Sequence, residues 1–272
     1  MTEFTEKYGP WALVAGGAQG IGEAYSHHAA AHGLNVVVLD RDPAALNKIA
    51  GDLTKEHGVE CLPVKVDLSA PDMLEQVVAA VGNREIGLLI YNAGIADVGP
   101  FFKTNTGLDF EKMKIAVNVM GPLVLTYHFA QPMLKRKAGG IVLMSSGAGL
   151  KGAPYYAHYS ATKAYDIALG QALWGEFKPY NVDVLAVAAG MTLSTASEAY
   201  KHLDTTHFQT PAQLVDEAME ALGKQPMIVS EANHRANHEK MKQLPDEVVI
   251  GYLANHAITN FLGGKPPEQA VR

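Results

Sequence analysis

Tyr159 and Lys163 lie four residues apart at the end of the stretch SSGAGLKGAPYYAHYSATK, which runs from Ser145 to Lys163. On a helix, positions i and i+4 share a face, so a phenol and an ammonium would point into one space. A fixed cation favours the phenolate and lowers the pKa of a group that otherwise titrates near ~10. That makes a proton donor and acceptor usable near neutral pH. Ser146 stands thirteen residues before Tyr159, at the end of an apolar run, where its hydroxyl could hold a reacting oxygen. The plainer reading is an exposed helix pair contributing a few tenths of a kcal/mol. No other tyrosine in the chain, however, has a lysine four residues after it.

The chain ahead of this stretch offers a place for a cofactor. Trp11–Ala15 is a short apolar run leading into GGAQGIG, so Gly16, Gly20 and Gly22 form G-x-x-x-G-x-G between a first strand and a first helix. Small residues there let the backbone approach a pyrophosphate, whose charge is favoured at a helix N-terminus. The spacing differs from G-x-G-x-x-G, so the position after the first strand carries this reading. Asp40 ends the second strand eighteen residues after Gly22, close to the ~20 expected of an acid that binds a ribose 2′-hydroxyl. Its carboxylate would repel a 2′-phosphate and so favours NAD. Arg41 beside it could accept that phosphate, so NADP is not excluded; otherwise Asp40 is a solvated strand end. Asp67 could accept from an adenine amino group or simply start the turn before Ser69. Asn92–Ala93–Gly94 follows the fourth strand at the edge where such sheets bind ligands, although composition alone reads it as a turn.

The elements that would hold these residues alternate. Asn35–Asp40 is β-branched without polar alternation, the pattern of a strand buried on both faces. Further strands are predicted at Cys61–Val66, Ile86–Tyr91, Ile141–Ser145, Val182–Ala188 and Met227–Ser230. Helices are predicted from Ile21 to His32, from Asp42–Pro43 to Gly58, and from Ser69 with Pro71 onward. Others cover Phe110–Lys137, bent or divided at Gly121–Pro122, and Tyr156–Phe177. A capping box at Thr210 opens one that runs to about Leu222. This order predicts an α/β, Rossmann-like, doubly wound parallel sheet of about seven strands with helices on both faces. We read residues 1–272 as one domain, with 231–272 a short helical C-terminal extension.

The 272 residues are 48% hydrophobic and 18% charged, with a formal net charge of −6. That balance, with no Lys/Arg block, argues against nucleic acid or an anionic membrane surface as the main partner. One cysteine, Cys61, excludes an internal disulfide and fits a reducing compartment. The polar N-terminus has no signal-peptide pattern, and no apolar stretch approaches the ~20 residues of a membrane span. The expectation is a cytoplasmic protein. His234 and His238, four apart, could share a helix face and bind a metal, but no third ligand is evident and a polar surface helix explains both. No metal is expected, and His27 and His28 read as surface or packing residues.

GGAQGIG, Asp40, Asp67, NAG, Asn118 in VNVMG, SSGAG and YSATK together resemble, in order and spacing, the single-domain branch of the short-chain dehydrogenase/reductase family. The resemblance spans about Trp11 to Ser230. It implies Ser146, Tyr159 and Lys163 as a catalytic triad with Asn118 as fourth member. Tyr159 would be the general acid/base and Ser146 would orient the substrate oxygen. Lys163 would tune the tyrosine and hold the nicotinamide ribose, and Asn118 would bind a water in a proton relay. Gly16, Gln19, Gly20, Ile21, Gly22, Asp40, Arg41, Asp67, Leu68, Asn92, Ala93, Gly94, Gly190 and Thr192 would line the cofactor, together with Tyr159 and Lys163. Ala15, Tyr91 and Ala189 depart from the family's Thr, Asn and Pro. The first two would remove structural hydrogen bonds, and the third would loosen a turn.

The implied activity is interconversion of a secondary alcohol and a ketone with NAD(P). Met191–Gln209 is the expected lid. Leu150, Tyr155, Met191, Leu193, Tyr200 and Phe208 could line an apolar pocket suited to a hydrophobic or hydroxysteroid-like alcohol, or could simply pack the lid. A catalytically idle nucleotide sensor and a reductase of polar substrates (polyol or oxoacyl) are the alternatives. Relatives generally pair through the helices carrying Asn118 and Tyr159, so a homo-oligomer is implied.

Overall fold

The computed structural model describes residues 2–103, 106–193, 203, 205–206 and 208–270. A short helix α1 (Glu3–Tyr8) precedes β1 (Trp11–Ala15), α2 (Gly20–Ala31), β2 (Asn35–Asp40), α3 (Pro43–His57) and β3 (Cys61–Lys65). Then come α4 (Met73–Val81), β4 (Ile86–Tyr91), α5 (Leu108–Ile115), α6 (Gly121–Arg136), β5 (Gly139–Ser146) and α7 (Ala157–Phe177). The last are β6 (Val182–Ala189), α8 (Pro211–Ala221), β7 (Met227–Val229), α9 (Ala232–Met241) and α10 (Asp246–Phe261). The seven strands form one sheet in the order β3-β2-β1-β4-β5-β6-β7, and every pairing is parallel.

The central strands β1 and β4 read as unbroken apolar runs because both faces are covered. Ala12 and Val14 of β1 point into one core with Tyr25 and Ala29 of α2, Ile49 and Leu53 of α3 and Leu214 of α8. Leu13 and Ala15 point into the other with Val77 of α4 and Leu125 and Phe129 of α6. The chain order reverses beside β1, whose neighbours are β2 and β4. At such a switch point the connections leave in opposite directions and open a crevice at the carboxyl ends of the strands.

Most boundaries follow local chemistry. Asp42 caps α3 by accepting from the Ala44 and Ala45 N–H groups, and Gly58 ends it at φ +70°. Thr210 and Gln213 form the expected capping box of α8.

One expectation changes, and another is met with a cause the sequence did not show. Ser69 and Pro71 do not open a helix. The Ser69 N–H and hydroxyl both donate to Asp67 Oδ1, at 2.8 and 2.7 Å, so Ser69 belongs to a turn and α4 starts at Met73. The long helix expected over Phe110–Lys137 is α5 and α6 joined by a π-helical turn at Ala116–Met120. The buried Tyr91 hydroxyl donates to Val117 O at 2.6 Å in that turn. A Cβ on Gly121 would stand 1.9 Å from the same hydroxyl. The π-turn ahead of Pro122 therefore packs around a tyrosine wedged from β4. Tyr91 thus supplies a hydrogen bond of its own where the departure suggested a loss.

Candidate active site

At the carboxyl ends of β1 and β4 the glycine turn is built around one contact. Gly16 sits at φ +70°, and a Cβ on Gly22 would stand 1.8 Å from Gly16 O. Only glycine at both positions lets the turn close this tightly. Asn92 Nδ2 donates to Gly16 O at 2.9 Å, and the Asn92 and Ala93 N–H groups donate to Ala15 O at 3.0 and 2.9 Å. The Asn-Ala-Gly segment is therefore the buttress of the glycine turn as well as part of the cleft wall. Asp40 Oδ1 accepts from the Arg41 and Asp42 N–H groups at 2.8 and 3.2 Å. Ser69, first through its side chain and then its backbone, holds the Asp67 carboxyl below its ordinary pKa.

β5 delivers the serine pair to two places. Ser145 is buried and donates to Lys163 O at 2.7 Å, tying the strand to α7. Ser146, next along the strand, lines the cleft and accepts from the Ala148 N–H at 3.2 Å. The loop after it lies close on α7: a Cβ on Gly149 would stand 2.6 Å from the Lys163 carbonyl carbon. Ser160 donates to Ala148 O at 2.6 Å, and Thr162 donates to Tyr159 O at 2.8 Å. Ser160 thus holds the loop against the helix, while the Thr162 bond stays within α7. Lys163 is almost wholly buried, donating to Met144 O at 2.6 Å and Asp166 Oδ2 at 3.0 Å. Burial alone would lower its pKa, but the Asp166 charge, then the Tyr159 oxygen, hold it above the ordinary lysine value.

These elements border one cleft of about 980 Å³. Ser146, Tyr159 and Lys163 line it, with Gly16, Gln19, Gly20, Ile21, Asp40, Arg41, Asp67, Leu68, Asn92, Ala93, Gly94, Gly190 and Thr192. Two expected residues lie behind the wall. Gly22 packs under Gly16 and Asn92. Asn118 is fully buried: its Oδ1 accepts from the Ile95 N–H at 2.8 Å, and its Nδ2 donates to Ile95 O and Thr162 Oγ1 at 2.9 and 3.0 Å. These bonds join the loop after β4 to α7. The turn after β6 is held more firmly than the Ala189–Gly190 departure suggests. The Gly190 N–H donates to Ser230 Oγ at 3.1 Å, and Gln209 Nε2 bridges Ser230 Oγ and Thr192 Oγ1 at 2.8 and 3.0 Å.

The other side of the cleft comes from the C-terminal extension, which sequence reasoning left without a role. Glu231, His234, Asn237 and Met241 from the start and length of α9, and Tyr252, Leu253, His256 and Phe261 from α10, line it. A Cβ on Gly147 would stand 2.4 Å from His234 Nε2, so that ring fills the space beside Ser146. Burial lowers the pKa of His234 and of His256. His234 therefore serves the cleft wall. Among the described residues neither it nor His238 joins a cluster of metal-ligating groups; the cluster found is His27, Glu56 and His57, none of which lines the cleft. The helical spacing after Glu231 was a legible signal for α9, but not for which surface it covers.

Of the expected apolar lining, Leu150, Met191 and Phe208 face this cleft. Tyr155, held at φ +66°, faces a second cavity of about 260 Å³ instead. Leu193 lines neither cavity, and Tyr200 lies outside the described residues. The two ends of the expected lid meet, with the Leu193 N–H donating to Gln209 O and the Gln209 N–H to Met191 O, at 2.9 and 3.1 Å. The second cavity shares Tyr156 and Tyr159 with the first. It holds an ionic cluster unforeseen in the sequence: Lys103 and Lys114 both pair with Asp97, His158 pairs with Glu111, and Lys114 reaches Glu111 at 2.9 Å.

A doubly wound sheet with a glycine turn at its switch point, and a serine, tyrosine and lysine on the same cleft, is the arrangement of a nucleotide-dependent oxidoreductase. The family model for short chain dehydrogenases matches residues 10–202, and the chain belongs to that family. It is an enzyme of the alcohol/ketone pair. A 7beta-hydroxysteroid dehydrogenase of Collinsella aerofaciens is 30% identical over 261 residues, covering 92% of this chain and 97% of its own. A solved structure of a 7beta-hydroxysteroid dehydrogenase superposes with a TM-score of 0.88 at 28% identity, covering 93% of this chain and 99% of the other. A short-chain dehydrogenase from Sphingobium yanoikuyae in complex with NADPH superposes at 0.73 and 26% identity, covering 87% and 96%. Among the described residues no helix is long and apolar enough to cross a membrane.

Proposed function

We propose that this chain is an NAD-dependent dehydrogenase of bulky, fused-ring secondary alcohols of the hydroxysteroid kind. One observation carries the reading: Tyr159, Lys163 and Ser146 lie on the same cleft as both the glycine turn and a substrate wall built by α9 and α10. The cradle fits a dinucleotide, because glycine at 16 and 22 lets the turn fold tightly onto itself, with Gly16, Gly20 and Ile21 lining the cleft at the N-terminus of α2. When bound, the nicotinamide cofactor exchanges a hydride with the substrate carbon. Gly16, Gln19, Gly20 and Ile21 would hold its pyrophosphate end, and Asp67, Leu68, Asn92, Ala93, Gly94, Gly190 and Thr192 the rest. Asp40 supports NAD over NADP, because a 2′-phosphate would meet its carboxylate; Arg41 lies beside it on the cleft.

Tyr159 exchanges a proton with the substrate oxygen, and Ser146 orients that oxygen. Lys163 supplies the neighbouring positive charge. Asn118 holds Ile95 and Thr162 in place, which fixes α7 between Tyr159 and Lys163 against the loop after β4. The relatives' steroid substrates and the size of the cleft support a large, rigid substrate. α10 offers it Tyr252, Leu253 and Phe261, while α9 offers Asn237 and His234, so the walls differ in polarity.

The same reading treats residues 1–272 as one domain with 231–272 as its substrate-side extension, working in the cytoplasm as a homo-oligomer. Leu108, Ile115, Met120 and Tyr127, apolar and exposed along α5, the π-turn and α6, support pairing through that face. A panel of cyclic, steroidal and polyol alcohols followed by NADH and NADPH absorbance tests the whole proposal. Selective turnover of steroidal alcohols with NAD is expected; selective turnover of a polyol, or a preference for NADP, overturns it.

A further inference from the structure

Lys163 is 4% exposed and Asp166, three residues later, is 2% exposed. Residues at i and i+3 share a helix face, and this face of α7 turns inward under the cleft. Its ammonium makes two described contacts, with Met144 O on β5 and Asp166 Oδ2 on α7. The second carboxylate oxygen, Asp166 Oδ1, is buried without a hydrogen-bond partner among the described residues. An ammonium withdrawn from water loses hydration that must be replaced by an opposite charge, or the proton leaves. The groups around Lys163 leave one candidate for that charge. α7 contributes Tyr159 and Asp166; β4 contributes Tyr91, whose own ionisation is opposed by burial and by Asp166. β5 and the π-turn contribute the uncharged Ser145 and Asn118.

We propose that Asp166 is a positioning residue of this active site, whose buried carboxylate keeps Lys163 protonated and anchors its ammonium beneath the cleft. The proposal rests on the roles given above to Tyr159 and Lys163, and extends Tyr-x-x-x-Lys to Tyr-x-x-x-Lys-x-x-Asp. Alcohol oxidation through a tyrosine phenolate runs faster as pH rises, so the enzyme needs a lysine that remains charged under those conditions. A buried lysine without a counter-charge would lose its proton and leave Tyr159 without a cation. Asp166 offsets that loss.

The test compares wild type, Asp166→Asn and Asp166→Glu. In Asp166→Asn the alkaline limb of kcat/KM for alcohol oxidation moves to lower pH by at least a unit, an about tenfold loss at the alkaline end. Asp166→Glu restores the limb, because the charge returns. A merely structural role would lower the melting temperature in both variants and leave the limb in place. The second arm needs no substrate: 15Nζ NMR of the free enzyme follows the Lys163 ammonium directly. In wild type it persists above the ordinary lysine range, and in Asp166→Asn it is lost at lower pH. An unmoved limb in Asp166→Asn, or a wild-type Lys163 that titrates below ordinary lysines, overturns the proposal; the latter stands even if Asp166→Asn does not fold. Absence of any alcohol turnover in wild type would instead sink the reading of Tyr159, while the NMR titration would still decide the role of Asp166.

Discussion

On the β1–β4 side of the cleft the wall is largely backbone. Gly16 at φ +70°, the absent Cβ of Gly22 and the Asn92 amide lock one another, and the strands beneath are buried to the last residue. On the other side the wall is made of side chains. α9 has no fully buried residue, is capped by Glu231 at φ +69°, and is pinned by Glu217, which accepts from the Glu231 N–H and the Arg235 guanidinium at 3.0 and 2.5 Å. A wall of backbone and missing side chains suits one ligand and tolerates little substitution. A wall of side chains on late, exposed helices can be rebuilt without disturbing the sheet. The difference teaches where a common cofactor and a particular substrate are read.

The contrast can be broken or sharpened by substitution. Tyr159→Phe keeps the ring and removes only the proton carrier, so turnover should fall about 1000-fold while NADH binding, followed by fluorescence, is unchanged. Activity equal to wild type would remove Tyr159 from the mechanism. Gly22→Ala drives a methyl into Gly16 O, 1.8 Å from its position. A turn moved off its ligand contacts, at a loss of about 2 kcal/mol of binding free energy, should raise the NADH Kd about 30-fold, whereas Gly175→Ala, with nothing within 4 Å, should leave it alone. If both variants bind equally, the backbone wall is not what holds the cofactor. Asp40→Ser should shift the NADP/NAD ratio of kcat/KM toward NADP about tenfold.

The side-chain wall predicts the opposite pattern. His234→Ala should raise substrate KM about fivefold, the scale of one hydrogen bond, with the NADH Kd unmoved. A changed Kd with a constant KM would assign α9 to the cofactor instead. The smallest effect is on stability. Burial holds the His234 pKa below its unfolded value, so its neutral ring stabilises the fold fully above about pH 6.5, and that contribution is lost as pH falls. Thermal melts should therefore show a shallower acid decline in His234→Ala than in wild type.

What could be read from the chain divides along the same line. Asp42–Pro43, the Thr210 capping box and the Asn35–Asp40 run were legible because their causes lie within a few residues. Ser146, Tyr159 and Lys163 were legible because helix and strand geometry convert spacing into direction. The wedge of Tyr91 into the π-turn was not, since its partners Val117 and Gly121 lie on another element. Asn118 was found by pattern, yet the commitment of its amide to Ile95 and Thr162 depends on how α7 packs. Leu193 and Tyr155 looked like pocket residues by apolarity alone, which does not say which cavity a side chain enters.

By itself, the sequence determined the alternation of strands and helices, the glycine turn, the place of Asp40 at a strand end and the spacing of Tyr159 and Lys163. All of these follow from local steric rules and periodicity. Only the tertiary structure decided that α9 and α10 close the cleft, that Ser145 serves α7 while Ser146 serves the site, and that Lys163 is buried against Asp166. Those outcomes depend on which faces meet across tens of residues, and burial and electrostatics exist only once they have met.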